Sequence, residues 1–384
     1  MSLLGFEELA LDLAGGLHTA REIAQQPRTL RAIHDQLARD AAGLAHFIEP
    51  LIMRRDMRVI LTGAGTSAFI GECLAPYLAN ELPCRIEAIA TTDIVTGPNH
   101  YLERDTPTLI LSFGRSGNSP ESVAAIDIAD ELVSECYHIA ITCNSKGALA
   151  QRLTGAPHCQ VIMLPDETHD RGFAMTSSFT GMMYAALFAI CGIETMSARI
   201  NPIITAVEGV IVGPIGQIEA LAKLRFERVV YLGSNGLKGL AREASLKLLE
   251  LSDGETVAIH DTPLGFRHGP KTIVTSRTLI VVLVSNDANT RRYDLDLLSE
   301  IQRDAKAQKI LAISAKPLPG VEAILIPALA DARDVDLLFP MIIAPQIYAF
   351  HQSLALGRTP DNPNAAGLVN RVVKGVDIYA LQPV

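Results

Sequence analysis

Short runs of almost uninterrupted apolar residues alternate with longer segments of helical periodicity along this chain. The runs in the first half are RVILTGAG from Arg58, IEAIATTD from Ile86, TLILSFG from Thr108, HIAITCN from His138 and CQVIMLP from Cys159. Runs this rich in Val, Ile and Leu are typical of strands that are covered on both faces. Their alternation with helices predicts an α/β fold in which helices sandwich a parallel sheet.

The second half of the chain repeats this order at a constant offset. RVVYLGSNG begins at Arg228 and TLIVVLVSN begins at Thr278, each 170 positions after its counterpart in the first half. KILAISA and AILIPAL follow in the places of the fourth and fifth strands. Four matches in the same order predict two homologous domains.

The length of 384 residues also exceeds what one ordinary core organises. We predict a helical extension over residues 1–55, a first domain over 56–200, and a second domain with a C-terminal tail over 215–384. The seam between the two domains is expected near residues 195–215.

Composition narrows the function classes. A net charge of −9 without a basic block argues against nucleic acid as a partner. No apolar stretch is expected to reach the roughly 18 uncharged residues of a membrane span, and the acidic N-terminus does not resemble a signal peptide. The six cysteines lack CxxC spacing and the ten histidines lack metal-binding spacing. We therefore expect a cytoplasmic protein with reduced cysteines, no membrane partner and no bound metal.

Two loops rich in hydroxyl groups follow strands of the first domain. GAGTSA contains Thr66 and Ser67, and GRSGNS contains Arg115, Ser116 and Ser119. In an open parallel sheet, ligands bind beyond the carboxyl ends of the strands, at helix N-termini. Backbone N–H groups, hydroxyl groups and the positive end of a helix favour a phosphate monoester there.

Helix capping is the alternative interpretation of these hydroxyl groups. Ser119 precedes Pro120 and Glu121 and would serve as an N-cap, but capping does not explain four hydroxyl groups in two loops. A dinucleotide site is disfavoured because GAGTSAFIG lacks the third-glycine spacing of GxGxxG. The corresponding loop of the second domain, LVSNDANTRRYD, has no serine–glycine turn, so we expect one phosphate site per chain.

The segment GLAREASLKLLELSDG places Glu243, Lys247 and Glu250 on one stripe of a helix, with Leu240 and Leu246 on either side. A solvent-exposed ion pair is one interpretation of this stripe. Partial burial beside the leucines is the other, and burial raises the pKa of a carboxylate towards the range of a general base. The pattern alone favours neither interpretation.

A histidine lies downstream of this stripe. His268 stands in the loop GFRHGPK, eighteen residues after Glu250. A lone histidine is more often structural than catalytic, but one in a glycine–proline loop that follows a carboxylate-bearing helix is a candidate for acid–base work.

Taken together, these motifs resemble the sugar isomerase (SIS) domain family in its tandem form, and the resemblance covers the whole chain. GRSGNS is similar to the phosphate signature of that family, EASLKLLE and HGP to its catalytic segments, and REIAQQP to its N-terminal helix. ILTGAGTSAFIG, SFGRSGNSPESVAA, ETHDRGFAMTSS and GFRHGPK resemble the galactosamine-6-phosphate deaminases, formerly described as tagatose-6-phosphate ketose/aldose isomerases. The resemblance implies two flavodoxin-like domains.

The resemblance also implies how a sugar phosphate is held. The hydroxyl groups of the two loops would bind the 6-phosphate. GFAMTSSFT is similar to a segment that lines the sugar site, where Ala174 and Thr176 match the family and Met175 replaces a serine. The C-terminal PDNPNAAGLVNRVVKGV resembles a tail that covers the sugar with a lysine, for which both Lys374 and Arg371 are candidates.

For catalysis, the resemblance implies that Glu250 moves a proton between C1 and C2 and that His268, from a partner subunit in relatives, opens the sugar ring. Glu243 and Lys247 match residues that support the base and stabilise the open-chain oxyanion. Arg115 stands where glucosamine-6-phosphate synthase has a glutamine, so its role stays open. The shared site implies a homodimer or a higher homo-oligomer.

These roles give a reaction that requires no metal or organic cofactor. A 2-amino sugar phosphate would be isomerised to a C2 imine, and water would hydrolyse the imine to a ketose phosphate and ammonia. A neutral aldose phosphate would only be isomerised, and the sequence does not separate these two activities. The preference for galactosamine over glucosamine rests on the resemblance alone.

Two further functions are disfavoured. Glucosamine synthesis from glutamine requires a glutaminase domain with a leading cysteine, which this chain lacks. A sugar-phosphate sensor without turnover usually carries a DNA-binding domain or has lost the catalytic carboxylate. Here the stretch before Arg58 is short and acidic, while Glu250 and His268 are present.

Overall fold

The computed structural model describes residues 2–373 and 375–380. Its strands are β1 Ser2–Leu3, β2 Phe6–Glu7, β3 Arg58–Thr62, β4 Arg85–Ala88, β5 Thr108–Gly114, β6 Cys136–Thr142, β7 Cys159–Met163, β8 Arg228–Leu232, β9 Val257–Asp261, β10 Thr278–Val284, β11 Lys309–Ser314 and β12 Ala323–Leu325. Its α-helices are α1 Glu8–Leu13, α2 Leu17–Ala24, α3 Gln26–Arg39, α4 Ala41–Ile52, α5 Thr66–Glu81, α6 Thr91–Thr96, α7 Pro98–Tyr101, α8 Pro120–Leu132, α9 Ala148–Leu153, α10 Ser177–Val212, α11 Ile215–Lys223, α12 Gly236–Leu251, α13 Pro263–Phe266, α14 Ala288–Asp304 and α15 Asp334–Ala355. Short 3-10 helices cover Asp166–Thr168, Pro270–Ile273 and Pro327–Leu329.

Two five-stranded parallel sheets have the same strand order, β4-β3-β5-β6-β7 in the first and β9-β8-β10-β11-β12 in the second. This is the order of a flavodoxin-like domain, which confirms the predicted fold class. Every residue of β3, β5 and β10 is buried, as their uninterrupted apolar runs predicted. Arg58 pairs with Thr108 in the first sheet and Arg228 pairs with Thr278 in the second, so the offset of the repeat is kept in the register.

The loops that follow β3 and β8 also share one backbone conformation. Gly65 has φ +56° and ψ −129° before α5, and Asn235 has φ +53° and ψ −126° before α12. Positive φ favours glycine, and asparagine is among the few other residues that tolerate it. In the loop after β8, a Cβ at Gly233 would lie 2.6 Å from the carbonyl carbon of Leu237. Glycine is therefore required at position 233 because the backbone of Leu237 approaches it closely.

Packing divides the chain into two compact units that are discontinuous in sequence. One unit holds the second sheet and comprises the residues up to Arg31, Asp170–Thr180 and Ser197–Ala365. The other holds the first sheet and comprises Ala32–His169, Gly181–Met196 and the residues from Ala366 onward. The domain bounds given above rest on the repeat, which is a different criterion from packing, and they stay a prediction.

Helix α10 corrects one sequence expectation. It is long and apolar enough, by length and composition alone, to cross a membrane. Most of its apolar stretch is buried inside the protein, and Gly192 breaks its helical geometry with φ +78°. A mostly buried core helix passes the same test, and this burial favours a core helix. All six cysteines are free, as expected.

Replacing Gly233 by alanine should lower the melting temperature, because the new Cβ meets the backbone of Leu237. We expect a loss of about 2–4 kcal/mol, or roughly 5–10 °C in Tm. Gly209→Ala is the matched control, since it lies inside α10 with open space around its Cβ position and should be neutral or slightly stabilising. Thermal unfolding followed by circular dichroism measures both, and equal Tm values for the two variants would contradict the clash.

Candidate active site

The two hydroxyl-rich loops lie at the carboxyl edge of the first sheet, because β3 and β5 are neighbouring parallel strands. Thr66 and Ser67 are the first residues of α5 and are buried. Ser119 is at the N-cap position of α8, with Pro120 at the first helical position, but its side chain makes no capping hydrogen bond. Capping therefore does not account for the Ser119 hydroxyl group.

Asparagine side chains hold the second of these loops in shape. Asn144 donates from Nδ2 to the carbonyl oxygen of Ser116 at 2.8 Å, and Ala148 N donates to Asn118 Oδ1 at 2.9 Å. The hydroxyl oxygen of Ser116 accepts a hydrogen bond from Asn118 N at 3.3 Å. Sequence reasoning missed Asn144, although its position directly after a predicted strand was a usable signal.

Arg115 contacts the C-terminal tail. Its Nη2 donates to the carbonyl oxygen of Arg371 at 2.9 Å, and its side chain is buried. The structure thus places Arg371 beside the serine loop through its backbone. Lys374, the other candidate for closing the site, lies outside the described residues.

Helix α12 buries the charged stripe, so the solvent-exposed interpretation is wrong. Glu243 and Lys247 are completely buried, and Glu250 keeps 22% of its side chain exposed. Lys247 Nζ lies 3.5 Å from Glu243 Oε1 and donates a short hydrogen bond to Glu250 Oε2. One buried ammonium group therefore holds two carboxylates, and only the Glu250 carboxylate is open to solvent.

His268 is exposed in a loop that ion pairs hold on both sides. Arg267 Nη2 lies 2.7 Å from the carboxylate of Asp296. Lys271 pairs with Asp304 at 2.5 Å. The loop is therefore fixed while its histidine is accessible to a second molecule.

The predicted sugar segment lies in the unit that holds the second sheet. Ala174 and Thr176 are fully buried there, and Thr176 N donates to Asp170 Oδ2 at 2.8 Å. The residues predicted to hold phosphate lie in the other unit, together with Arg371. The acid–base residues share the unit of the sugar segment.

At the carboxyl edge of the second sheet, the protein fills the corresponding loops with its own carboxylates. Asp294 accepts hydrogen bonds from Ser234 Oγ at 2.8 Å and from Ser285 N at 2.9 Å. Asp334 accepts from Asn286 N at 2.7 Å and from Ser285 Oγ. Ser285 and Asn286 stand 170 positions after the Arg–Ser pair of the serine loop. Carboxylates thus bind the donors in the loop that corresponds to the predicted phosphate loop of the first half.

One group of potential metal ligands occurs within the described residues. Ligand atoms of Asp130, Cys136 and His138 lie within 4.8 Å of one another. His138 Nε2 is 2.8 Å from Asp130 Oδ1, and Arg152 pairs with the same carboxylate at 2.8 Å. Burial lowers the pKa of His138. These contacts account for the group without an ion, and it begins at the amino end of β6, away from the carboxyl edge that carries the hydroxyl loops.

Comparison with known proteins identifies the fold and its relatives. The family model of the SIS domain matches residues 52–191. The chain is 46% identical over 381 residues to the D-galactosamine-6-phosphate deaminase AgaS of Escherichia coli O157:H7, covering 96% of this chain and 97% of that protein.

Solved structures agree with this similarity. A candidate tagatose-6-phosphate ketose/aldose isomerase from Clostridium novyi NT superposes with a TM-score of 0.96 at 39% identity, covering 99% of this chain and 100% of that one. The tagatose-6-phosphate ketose/aldose isomerase of Escherichia coli superposes with a TM-score of 0.87 at 41% identity, covering 96% and 98%.

The filled second site predicts a pH-dependent stability. Burial raises the pKa of Asp294 to about 6 from its ordinary 3.8. A carboxyl group whose pKa is raised on folding stabilises the protein fully below pH 3.8 and loses that contribution as the pH rises through 6. The free energy of unfolding of Asp294→Asn relative to the wild type should therefore increase by about 2 kcal/mol between pH 4.5 and pH 7.5, and the difference in Tm should rise with it.

Differential scanning calorimetry across this pH range measures the effect. Asp331→Asn is the control, because Asp331 is an exposed carboxyl group. A difference that stays constant with pH for Asp294→Asn would contradict the raised pKa.

Proposed function

The chain belongs to the SIS-domain family and, within it, to the group of the D-galactosamine-6-phosphate deaminases AgaS, and from this membership we propose that it converts galactosamine-6-phosphate and water to tagatose-6-phosphate and ammonia. The observation that carries the proposal is the Lys247 ammonium group held between Glu243 and Glu250. Burying such charges costs several kcal/mol. Charged residues on a structural helix face normally stay in solvent and avoid this cost. Buried charges are instead typical of sites where protons are transferred.

The phosphate group of the substrate binds, in this proposal, at the hydroxyl loops of the first sheet. Thr66, Ser67, Ser116 and Ser119 supply hydroxyl donors at the starts of α5 and α8. The unused capping capacity of Ser119 supports this assignment. A dianion also gains from the partial positive charge at the two helix starts. Arg115 adds a buried cation beside the serine loop.

The proposed chemistry begins with ring opening, in which His268 of a second subunit moves the proton between the ring oxygen and the C1 hydroxyl group. Glu250 then takes the proton from C2 and returns it to C1, so that the carbon–nitrogen bond at C2 becomes an imine. Lys247 orients Glu250 through their hydrogen bond and Glu243 balances the charge of Lys247. Water adds to C2, and ammonia leaves to give the ketose.

The remaining proposed roles concern access to the sugar. Ala174 and Thr176 belong to the segment that lines it, and Arg371 or Lys374 of the tail covers it. The carbonyl group of the open sugar makes the C2 hydrogen acidic, so these steps use no metal or organic cofactor. The free cysteines support a cytoplasmic location, and the exposure of His268 supports a homo-oligomer that shares its sites.

An aldose–ketose isomerase without deamination is the second candidate. The structural relative from Escherichia coli carries that name, and the same proton transfer performs both reactions. The two candidates differ only in whether an amine is present at C2 and is released.

Replacing Glu250 by glutamine should abolish turnover, because an amide cannot carry the proton from C2 to C1. We expect ammonia release from galactosamine-6-phosphate to fall by about 100-fold to 10,000-fold. Purified protein is assayed for ammonia and ketose together, with glucosamine-6-phosphate and galactose-6-phosphate as comparison substrates. Glu208→Gln, an exposed glutamate on α10, is the control.

The outcomes of this assay separate the candidates. Ammonia from the galacto sugar that disappears in Glu250→Gln supports the deaminase. Ketose from galactose-6-phosphate without ammonia from either amino sugar makes the protein an isomerase. A fully active Glu250→Gln variant would remove Glu250 from the mechanism.

Removing the hydroxyl group of Ser119 should weaken substrate binding more than the chemical step. A hydrogen bond to a charged group contributes about 1.5–3 kcal/mol. We therefore expect Ser119→Ala to raise KM by about 10-fold to 100-fold and to weaken inhibition by inorganic phosphate in parallel. Ser134→Ala, an exposed serine in the same unit, is the control. An unchanged KM and unchanged phosphate inhibition would mean that the phosphate group binds elsewhere.

A further inference from the structure

Two buried carboxylates hold the backbone of the segment that leads into α10. Glu22, on α2, is 6% exposed and accepts hydrogen bonds from the backbone N–H groups of Arg171 and Gly172, the latter at 3.2 Å. Asp170, immediately before them, is completely buried. The segment between these contacts and the helix carries Ala174 and Thr176 of the proposed sugar site.

Asp170 binds this segment from its other end. Its Oδ2 accepts from Thr176 N at 2.8 Å and from Ser178 N at 3.0 Å. The hydroxyl groups of Ser177 and Ser178 donate to the same carboxylate, one to each oxygen. Both oxygens of Asp170 therefore accept hydrogen bonds from residues 176–178.

The surrounding residues leave this segment no freedom. A Cβ at Gly172 would lie 2.7 Å from Thr19 Oγ1 and 2.9 Å from Glu22 Oε2. Phe173 N donates to the carbonyl oxygen of Asp361 at 3.1 Å, and the Asp361 carboxylate accepts from Thr19 N at 2.7 Å. A side chain at position 172 would therefore displace Thr19 Oγ1 or Glu22 Oε2 from its present hydrogen bonds.

Three residues of the motif REIAQQP contact this segment or the first turn of α10. Besides Glu22, Gln25 Nε2 donates to Ser177 Oγ at 2.9 Å, and Gln26 Oε1 accepts from Thr180 Oγ1 at 2.8 Å. The motif lies about 150 residues before the segment that it contacts. Glu22, Gln25 and Gln26 of the motif thus share one partner, the segment that starts α10.

We propose that Glu22 and Asp170 are positioning residues of the reaction, which fix the backbone of residues 171–178 in the geometry that the sugar requires. The proposal rests on the proposed function, because the segment matters for catalysis only if a sugar binds there. Two adjacent carboxylates in a buried site are costly, and apolar side chains would stabilise the fold more cheaply. Carboxylates have the advantage of directing several N–H groups at once, and small displacements of a site reduce its rate steeply.

Replacing Glu22 or Asp170 by the corresponding amide is expected to have different effects on their hydrogen bonds. Burial, and next the charge of Asp170, raise the pKa of Glu22 to about 8, so that Glu22 is largely protonated at neutral pH. Glutamine keeps one oxygen acceptor in the same shape and is a close substitute for a protonated glutamate. Asparagine at 170 replaces one acceptor oxygen by an amide NH2 group, which is a donor facing hydroxyl or N–H donors.

The test compares Glu22→Gln, Glu22→Ala and Asp170→Asn with Asp166→Asn, an exposed carboxylate upstream, as the control. Rates are measured with galactosamine-6-phosphate per folded molecule. We expect kcat/KM to fall about 100-fold or more in Asp170→Asn. Glu22→Gln should retain at least a tenth of the wild-type value, and Glu22→Ala should fall at least about 10-fold below Glu22→Gln. Asp166→Asn should match the wild type.

Amide hydrogen exchange gives a second measurement that does not depend on turnover. Exchange in residues 171–178 should become at least about 10-fold faster in Asp170→Asn and Glu22→Ala, while the strands of the second sheet keep their protection. If Asp170→Asn does not fold, the Glu22 pair decides the question by rescue with glutamine. Wild-type rates and exchange in Asp170→Asn, or equal effects of alanine and glutamine at Glu22, would overturn the proposal. A wild-type protein without activity on any sugar phosphate would overturn the proposed function, and the exchange comparison would still test the positions of the carboxylates.

Discussion

Backbone N–H groups at helix starts and strand ends need a hydrogen-bond acceptor. The sites of this protein differ in which groups supply that acceptor. At the carboxyl edge of the first sheet, α5 and α8 begin with hydroxyl side chains that make no cap. At the matching edge of the second sheet, Asp294 and Asp334 accept from the loop after β10. At the start of α10, Asp170 accepts from two backbone N–H groups. The first of these places is the one where we propose that a phosphate group binds.

On α12 the buried group that needs partners is a cation, and carboxylates are its partners. Lys247 brings a cation into a fully buried position, and Glu243 and Glu250 supply the acceptors that make this burial tolerable. The three residues therefore act as a unit, in which Lys247 fixes Glu250 and Glu243 compensates Lys247. Such a unit gives the partly exposed carboxylate of Glu250 a defined orientation, which a freely rotating surface glutamate lacks.

The repeat and the local loop chemistry made much of this structure predictable from sequence. Uninterrupted apolar runs identified the strands, and a constant offset identified the duplication. The backbone of Asn235 matches that of Gly65 although the residues differ, because both tolerate positive φ. The sequence did not decide whether the charged stripe of α12 is buried, because its hydrophobic pattern fits both a solvent-exposed and a partly buried stripe. Nor was α10 identified from the sequence as a helix long and apolar enough to cross a membrane.

Contacts over long sequence separation were beyond prediction. Glu22 accepts from a backbone group about 150 residues away, and no periodicity in either segment reveals that pairing. The division into compact units is hidden for the same reason, because Asp170–Thr180 packs with residues far away in sequence. Asp294 and Asp334 read as ordinary helix residues until the fold brings their oxygens to Ser285.

In the second half of the chain, the carboxylates of Asp294 and Asp334 take the place that a bound anion would have. A ligand that binds only the folded state stabilises it in proportion to the logarithm of its concentration. An acceptor built into the chain has a fixed effective concentration instead. Under the proposed function, the first half therefore gains stability from bound sugar phosphate, whereas the carboxylates of the second half contribute at any concentration of that ligand.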